Sequence, residues 1–262
     1  MQVGLIGSGN MARALARGWG RPVLASDSGS GRAQSIVDEV GGERLSNAEV
    51  AQRAEVIVLA HKPYQLRQVA KEISQHAAGK PVASVLGGTS TGTVQRAYEG
   101  SQVFAIMPNT PVEVRRGAIV YAEPDRHPDA PFDADTHAQV LGLFRELGVV
   151  VSVPEALFGP ATSLSGVGPA YQALLAEAQI DAGIRLGLKP WDAENLVIET
   201  MAGTAELLLR RGRDTLAVRR EVTSPGGSTA RGLAALEAAG IRDAFQKAAD
   251  AVTNPPPTAR QR

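Results

Sequence analysis

A glycine-rich turn at the start of the chain constrains everything that follows it. Val3-Gly4-Leu5-Ile6 is a short apolar run, and Gly7-Ser8-Gly9-Asn10-Met11-Ala12 comes directly after it. Met11, Ala14, Leu15 and Gly18 then recur at helical spacing as far as Trp19. A strand, a G-x-G-x-x-A turn and a helix in that order make a phosphate-binding βα unit. Gly7 makes the tight turn, Gly9 lets a diphosphate approach the backbone, and Ala12 lets the helix lie close to the strand. A second strand, Val23-Leu24-Ala25, ends at Ser26-Asp27, twenty positions after Gly7. An acidic residue there accepts hydrogen bonds from a ribose diol, so the start of the chain reads as a dinucleotide site.

The same alternation continues. Helical spacing covers Ala33–Val40, Asn47–Arg53, Tyr64–Ala77, Thr91–Tyr98 and Thr136–Leu147. Apolar strand runs cover Val56–Ala60, Val82–Leu86, Val103–Met107, Gly117–Tyr121 and Val149–Val153. Strands separated by helices of this length imply an α/β fold, a doubly wound, mostly parallel sheet with crossover helices. Gly117–Tyr121 is expected to be a further, antiparallel strand. After Pro154 no strand pattern remains. Leu164, Tyr171, Leu174, Leu175, Ala178, Ala182 and Leu186 form a helical stripe. A second one runs through Leu196, Val197, Thr200, Met201, Thr204, Leu207 and Leu208 and is expected to face inward. The predicted domains are therefore 1–153, dinucleotide-binding, and 154–254, all-helical, with a disordered tail at 255–262. The alanine and glycine in the helical stripes suit either close subunit packing or a monomeric bundle.

Composition narrows the function classes. Lysine plus arginine and aspartate plus glutamate both number 27 in a chain of 262 residues, which argues against nucleic acid or a membrane surface as partner. There is no cysteine, hence no disulfide, thiolate metal site or catalytic thiol, and no metal is expected. No run approaches the ~20 apolar residues of a membrane span, and the start lacks the basic and apolar regions of a secretory leader. A cytoplasmic protein is expected.

Near the far end lies Val222-Thr223-Ser224-Pro225-Gly226-Gly227-Ser228-Thr229, running into Ala230–Glu237. Ser-Pro favours an extended turn and Gly-Gly a sharp bend. Ser228 and Thr229 are types that cap helix starts. A helix N-terminus holds small anions such as carboxylates; an ordinary capped helix with a glycine hinge has the same sequence.

Four further motifs give the chain a family resemblance: Ala60-His61-Lys62-Pro63, Met107-Pro108-Asn109-Thr110-Pro111, Leu164-Ser165-Gly166-Val167-Gly168-Pro169-Ala170-Tyr171, and Thr223–Glu237. With Gly7–Met11 they cover nearly the whole chain, and the chain resembles the Δ1-pyrroline-5-carboxylate reductases. The resemblance implies a Rossmann-type domain followed by an all-helical dimerisation domain, and reduction of a cyclic imine to L-proline by NADPH or NADH. It also implies a homodimer or larger assembly, with the substrate between the nicotinamide and the Ser224–Thr229 loop.

By the same resemblance Thr229 is the catalytic candidate, a hydrogen-bond partner or proton donor to the ring nitrogen. Val222, Gly226, Gly227, Ser228 and Thr229 are expected to hold the substrate. Ile6, Gly7, Ser8, Gly9, Asn10, Met11, Ser26, Asp27 and Asn47 are assigned to the cofactor. So are Ala60, His61, Lys62, Pro63, Val85, Leu86, Gly87, Met107 and Asn109, where strands end. The local residues divide on cofactor choice. Asp27 favours NADH, while Ser26, Ser28, Ser30 and Arg32 suit a phosphate, and the resemblance tilts the balance to NADPH. The chain departs from the family pattern at His61, at Val167, at Asp214-Thr215 where His-Pro is usual, and at Arg219-Arg220 where a basic–acidic pair is usual. Glu113, Arg115 and Arg116 read as a solvated turn, and His76 and His137 as surface residues.

Overall fold

The computed structural model describes residues 1–123 and 132–253. The loop at 124–131 and the tail at 255–262 lie outside the described residues. Eight strands form one sheet: β1 (Val3–Ile6), β2 (Val23–Ser26), β3 (Gly42–Arg44), β4 (Val56–Leu59), β5 (Pro81–Ser84), β6 (Gln102–Met107), β7 (Gly117–Glu123) and β8 (Gly148–Pro154). Their order is β3-β2-β1-β4-β5-β6-β7-β8. All neighbours are parallel except β6 and β7, which pair antiparallel as expected, and β7 pairs parallel with β8. The strand order reverses between β1 and β4, and in a doubly wound sheet the crevice beyond the strand ends at that point takes the ligand.

β1, β2, β4 and β5 are buried along their whole length because helices cover both faces. On one face α1 (Asn10–Trp19), α2 (Arg32–Val40) and α6 (Ala134–Arg145) bury Leu15, Trp19, Ile36 and Phe144 against Leu5, Val58 and Phe104. On the other α3 (Asn47–Arg53), α4 (Leu66–Ala77) and α5 (Thr91–Ala97) bury Val50, Ile73 and Val94 against Ile6, Ile57 and Leu59. Each large aliphatic side chain so buried contributes about 1.5–3 kcal/mol. Trp19 adds a polar tie, its indole N–H donating to the Leu143 carbonyl at 3.0 Å while its ring meets Phe144 edge-on.

Three local expectations change. The strand β3 was not visible as a pattern because its three residues, Gly-Glu-Arg, are all exposed at the sheet edge. Arg115, though exposed, is tied to the fold: its guanidinium donates to the Gly18 carbonyl at 2.7 Å and closes the C-terminus of α1. His137 lies in an aromatic cluster, stacked on Phe104 with its Nε2 3.2 Å from the Tyr121 hydroxyl.

The chain forms two compact units, Met1–Pro169 and a second that begins at Ala170. The texture change in the sequence falls at Val153–Pro154, and the first unit extends past it to take in α7 (Glu155–Ser165), whose Glu155 carboxylate accepts from the Thr91 N–H at 3.0 Å. The helical remainder comprises α8 (Gly168–Arg185), α9 (Pro190–Arg210), α10 (Thr215–Glu221), α11 (Ser228–Ala238) and α12 (Ile241–Thr253).

Helices follow Pro154 as expected, although the first stripe is split between α7, which holds Leu164, and α8, and the apolar stripes do not close a core. From Ala170 onward only Ala176, Ala193 and Val218 are buried among the described residues. Leu196, Thr200 and Thr204, expected to face inward, are exposed, as are Leu174, Leu186 and Trp191. Helical periodicity identifies an apolar face but cannot say whose chain covers it.

Candidate functional site

The loops that leave β1, β2, β4 and β5 enclose a cleft of about 850 Å³ in the first unit. Ile6, Gly7, Ser8, Gly9, Asn10 and Met11 line it from the first turn. Asp27, Ser28, Ser30 and Arg32 line it beyond β2, Asn47 at the start of α3, and Ala60, His61, Lys62 and Pro63 beyond β4. Val85 and Gly87 close it beyond β5.

Gly7 has φ +99°, and a Cβ there would lie 2.6 Å from the His61 backbone nitrogen. The position requires glycine twice over, for its left-handed conformation and for the close passage of the β4 exit. Gly9 is the opposite case. A Cβ there would meet no protein atom within 4 Å, and Gly9 is the N-cap of α1 with no side chain capping the helix. The first N–H groups of α1 thus have no side-chain cap and the space over Gly9 is open, an arrangement suited to a diphosphate.

His61 adds an orphaned atom to the cleft wall. Its Nδ1 lies 2.9 Å from the Lys62 carbonyl, which can only accept, so Nδ1 carries the proton and Nε2 is a bare acceptor. That Nε2 is buried and has no partner. Burial lowers the His61 pKa, which favours the neutral ring. Asn47 donates to the Glu72 carboxylate at 2.6 Å, and Glu72 belongs to a row, Gln65, Gln68, Val69 and Glu72, that lines the cleft from α4 and its preceding turn. None of these four was singled out in the sequence; their three- and four-residue spacing after Lys62-Pro63 is the signal that could have found them. These features together fit a dinucleotide.

Four of the residues assigned to the cofactor do not line this cleft. Ser26 is fully buried, with its hydroxyl 3.3 Å from the Leu5 carbonyl, and Leu86 is buried. Met107 ends β6. The Asn109 amide is occupied internally: its nitrogen donates to the Ser165 carbonyl at 3.1 Å and its oxygen accepts from the Ala118 N–H at 2.9 Å, tying the β6 exit to β7 and α7.

In the second unit, Gly226 is left-handed at φ +70° and Gly227 is the N-cap of α11, so Ser228 and Thr229 are the first two helical residues and not its caps. Gly227 donates its N–H to the Ser224 carbonyl at 3.1 Å, and Arg231 reaches back to the Gly226 carbonyl at 2.7 Å, closing the turn. The Ser228 and Thr229 hydroxyls make no hydrogen bond among the described residues, and no side chain caps α11. Uncapped N–H groups and two free hydroxyls at one helix start suit a small anion such as a carboxylate. Val222 is exposed just before this turn. Asp214 caps α10, accepting from the Leu216 and Ala217 N–H groups at 2.9 Å, and Arg211, just past α9, pairs with Glu221 at the end of α10. The departure at Asp214-Thr215 is therefore a helix start in its own right.

Residues 155–255 match the family model for pyrroline-5-carboxylate reductase dimerisation, and residues 2–88 match that for NADP oxidoreductase, coenzyme F420-dependent. Over 262 residues the chain is 35% identical to the pyrroline-5-carboxylate reductase of Synechocystis, an alignment that spans 95% of this chain and 94% of that one. The chain belongs to the pyrroline-5-carboxylate reductase family. Among solved structures, it resembles the pyrroline-5-carboxylate reductase of Coxiella burnetii with a TM-score of 0.85 at 30% identity, over 97% of this chain and 96% of that one. It also resembles the Plasmodium falciparum pyrroline carboxylate reductase with NADP bound, with a TM-score of 0.83 at 27% identity, over 97% and 95% of the two chains. The NADP oxidoreductase match over residues 2–88 takes in the Gly7–Gly9 turn and most of the cleft lining. The helical region matched by the dimerisation model is the part whose apolar stripes stand exposed.

Proposed function

We propose that the protein reduces Δ1-pyrroline-5-carboxylate to L-proline with NADPH or NADH, the last step of proline biosynthesis, as a cytoplasmic homodimer or larger assembly. The observation that carries this reading is the likeness, over nearly the full length of both chains, to enzymes of that name. When bound, the nicotinamide supplies a hydride to the imine carbon.

The chain's own residues have three tasks. The uncapped start of α1, from Gly7 to Met11, holds the diphosphate, with Asn47, His61, Lys62 and Val85–Gly87 fixing the adenosine and ribose portions. Asn109 keeps the β6 exit, and with it Met107, in one conformation. Gly226, Gly227 and Ser228 anchor the substrate carboxylate through backbone N–H groups, and the Thr229 hydroxyl partners the ring nitrogen so that charge does not build on it in the transition state. No strong acid or base is required, because a cyclic imine binds already protonated.

Purified protein is expected to oxidise NADPH or NADH when given pyrroline-5-carboxylate, and to prefer it over the six-membered homologue. Nucleotide binding without turnover of either ring would leave a non-catalytic binding protein in place of the reductase. The dimer rests on the exposed apolar faces of α8 and α9, where Leu174, Leu186, Trp191, Leu196 and Ile198 are each at least half exposed in the single chain. Light scattering on the eluting protein is expected to give at least twice the 27.4 kDa of one chain. A monomer at micromolar concentration removes the assembly from the proposal.

A further inference from the structure

Two motifs of the sequence, Met107–Pro111 and Leu164–Tyr171, lie outside the residues that line the cleft. The structure joins them to each other. α7 ends at Ser165, and the last carbonyls of a helix have no partner within it. The Thr162 carbonyl accepts from the Gly166 N–H at 2.8 Å. The Ser165 carbonyl would look four residues on for its donor, and residue 169 is a proline, which has no N–H to give. The Asn109 amide supplies the missing donor, at 3.1 Å from the Ser165 carbonyl. Its oxygen accepts from the Ala118 N–H at 2.9 Å, so the amide is used on both sides, and only 8% of Asn109 is exposed.

Asn109 is itself held to the helix that starts at the first glycine turn. It is the N-cap of a short helical turn, Thr110–Val114, whose Val112 N–H donates to the Asn109 carbonyl at 3.2 Å. That turn lies hard against α1: a Cβ at Gly18 would sit 2.2 Å from the Val112 carbonyl oxygen. Arg17 pairs with Glu113 at 2.6 Å, and Arg115 donates to the Gly18 carbonyl. The ion pair is exposed and contributes little, so the close approach and the Arg115 bond set the geometry. One tie thus runs from α1 through Thr110–Val114 and Asn109 to the end of α7, just before the first unit ends at Pro169.

We propose that Asn109 is a positioning residue for imine reduction: it fixes the end of α7, and with it the point where the chain leaves the dinucleotide unit, and Pro169 makes the Ser165 carbonyl depend on it. The proposal rests on the reductase reading and deepens it. In that reading the first unit holds the nicotinamide and the second the imine carboxylate, so hydride transfer needs the passage at 166–169 to be held at its start. Gly166 and Gly168 leave two of its four positions without a side chain to brace it. A misplacement of about 1 Å costs a reaction about 100-fold while leaving the binding of each reactant alone. Asn109 touches neither reactant; it acts through Ser165.

Hydrogen exchange on the intact protein, read by mass spectrometry, tests the tie without imine turnover, so it can fail while the reductase reading stands. Asn109→Asp keeps an acceptor for the Ala118 N–H and sets an oxygen against the Ser165 carbonyl. Amides at 162–166, the last turn of α7, are expected to exchange at least about tenfold faster in this variant, with those at 7–11 unchanged. Its kcat with NADPH and pyrroline-5-carboxylate is expected to fall about 10- to 100-fold, with NADPH affinity within about twofold of the wild type. Adding Pro169→Ala, which gives residue 169 an N–H for the Ser165 carbonyl, is expected to return most of the protection at 162–166. Asn109→Ala, which buries no charge, is read in the same way if the aspartate variant does not fold. Unchanged exchange at 162–166 would overturn the proposal, because the end of α7 then does not depend on Asn109. So would faster exchange with unchanged kcat, or parallel losses of turnover and NADPH affinity, because Asn109 then serves the fold of the first unit and not the alignment of the reactants.

Discussion

Gly7→Ala is expected to abolish dinucleotide binding and to cost the first unit about 2–6 kcal/mol of stability. Two effects add. A residue with a Cβ held at φ +99° is strained by about 1–3 kcal/mol. The new Cβ would also lie 2.6 Å from the His61 nitrogen and 2.8 Å from the Ala60 carbonyl carbon, both backbone atoms. Those atoms cannot retreat easily, because the Ala60 N–H donates to the Ile6 carbonyl at 2.9 Å and so ties the β4 exit to β1. Forcing the strands apart adds about 1–3 kcal/mol. At about 2–4 °C per kcal/mol the thermal midpoint falls by roughly 4–24 °C, read by circular dichroism. Gly9→Ala is the companion measurement. Its Cβ meets no protein atom, so the midpoint is expected to hold while NADP⁺ affinity falls about tenfold or more, a loss of at least about 1.4 kcal/mol. A Gly9→Ala protein that binds NADP⁺ like the wild type would mean that the open space at the start of α1 is not where the diphosphate lies.

Thr229→Val is expected to lower kcat about 10- to 100-fold with NADPH affinity unchanged. The substitution keeps the branched shape and removes only the hydroxyl. A hydrogen bond to a group that carries charge is worth about 1.5–3 kcal/mol, which corresponds to that range of rates. Thr229 suits the test because its hydroxyl is not used within the fold, so its removal breaks no internal contact. Thr229→Ser, which restores a hydroxyl, is expected to recover most of the rate, and Ser228→Ala to raise KM more than it lowers kcat. Unchanged turnover in Thr229→Val takes that side chain out of the chemistry.

Much of the molecule was legible in the sequence because its signals are local. Gly7 and Gly9 between an apolar strand and a helix identify a βα phosphate turn wherever they occur, and apolar runs of four residues buried on both sides can only be central strands. The antiparallel β7 was expected and is observed. What the sequence left open depended on partners distant along the chain. Asp27 read as a ribose acceptor because its position is the usual one for that role. Its commitment to Gly29, Ser30, Ala33 and Arg44 needed both the folded loop and the edge strand β3, whose exposed residues carry no periodic signal. Asn109 read as a ligand contact on its motif, and its amide proved to be joined to Ser165 and Ala118.

By itself, then, the sequence determined the doubly wound sheet, the helical second part and the two glycine turns that begin α1 and α11. Each of these follows from backbone conformations and apolar periods that neighbouring residues impose. Only the tertiary structure decided how individual polar side chains are used. A hydrogen bond belongs to whichever donor and acceptor the fold brings within about 3 Å, and that choice is made between residues that do not adjoin in sequence. The exposed stripes of α8 and α9 mark the same division on a larger scale: period alone made them apolar, and the folded chain left them uncovered.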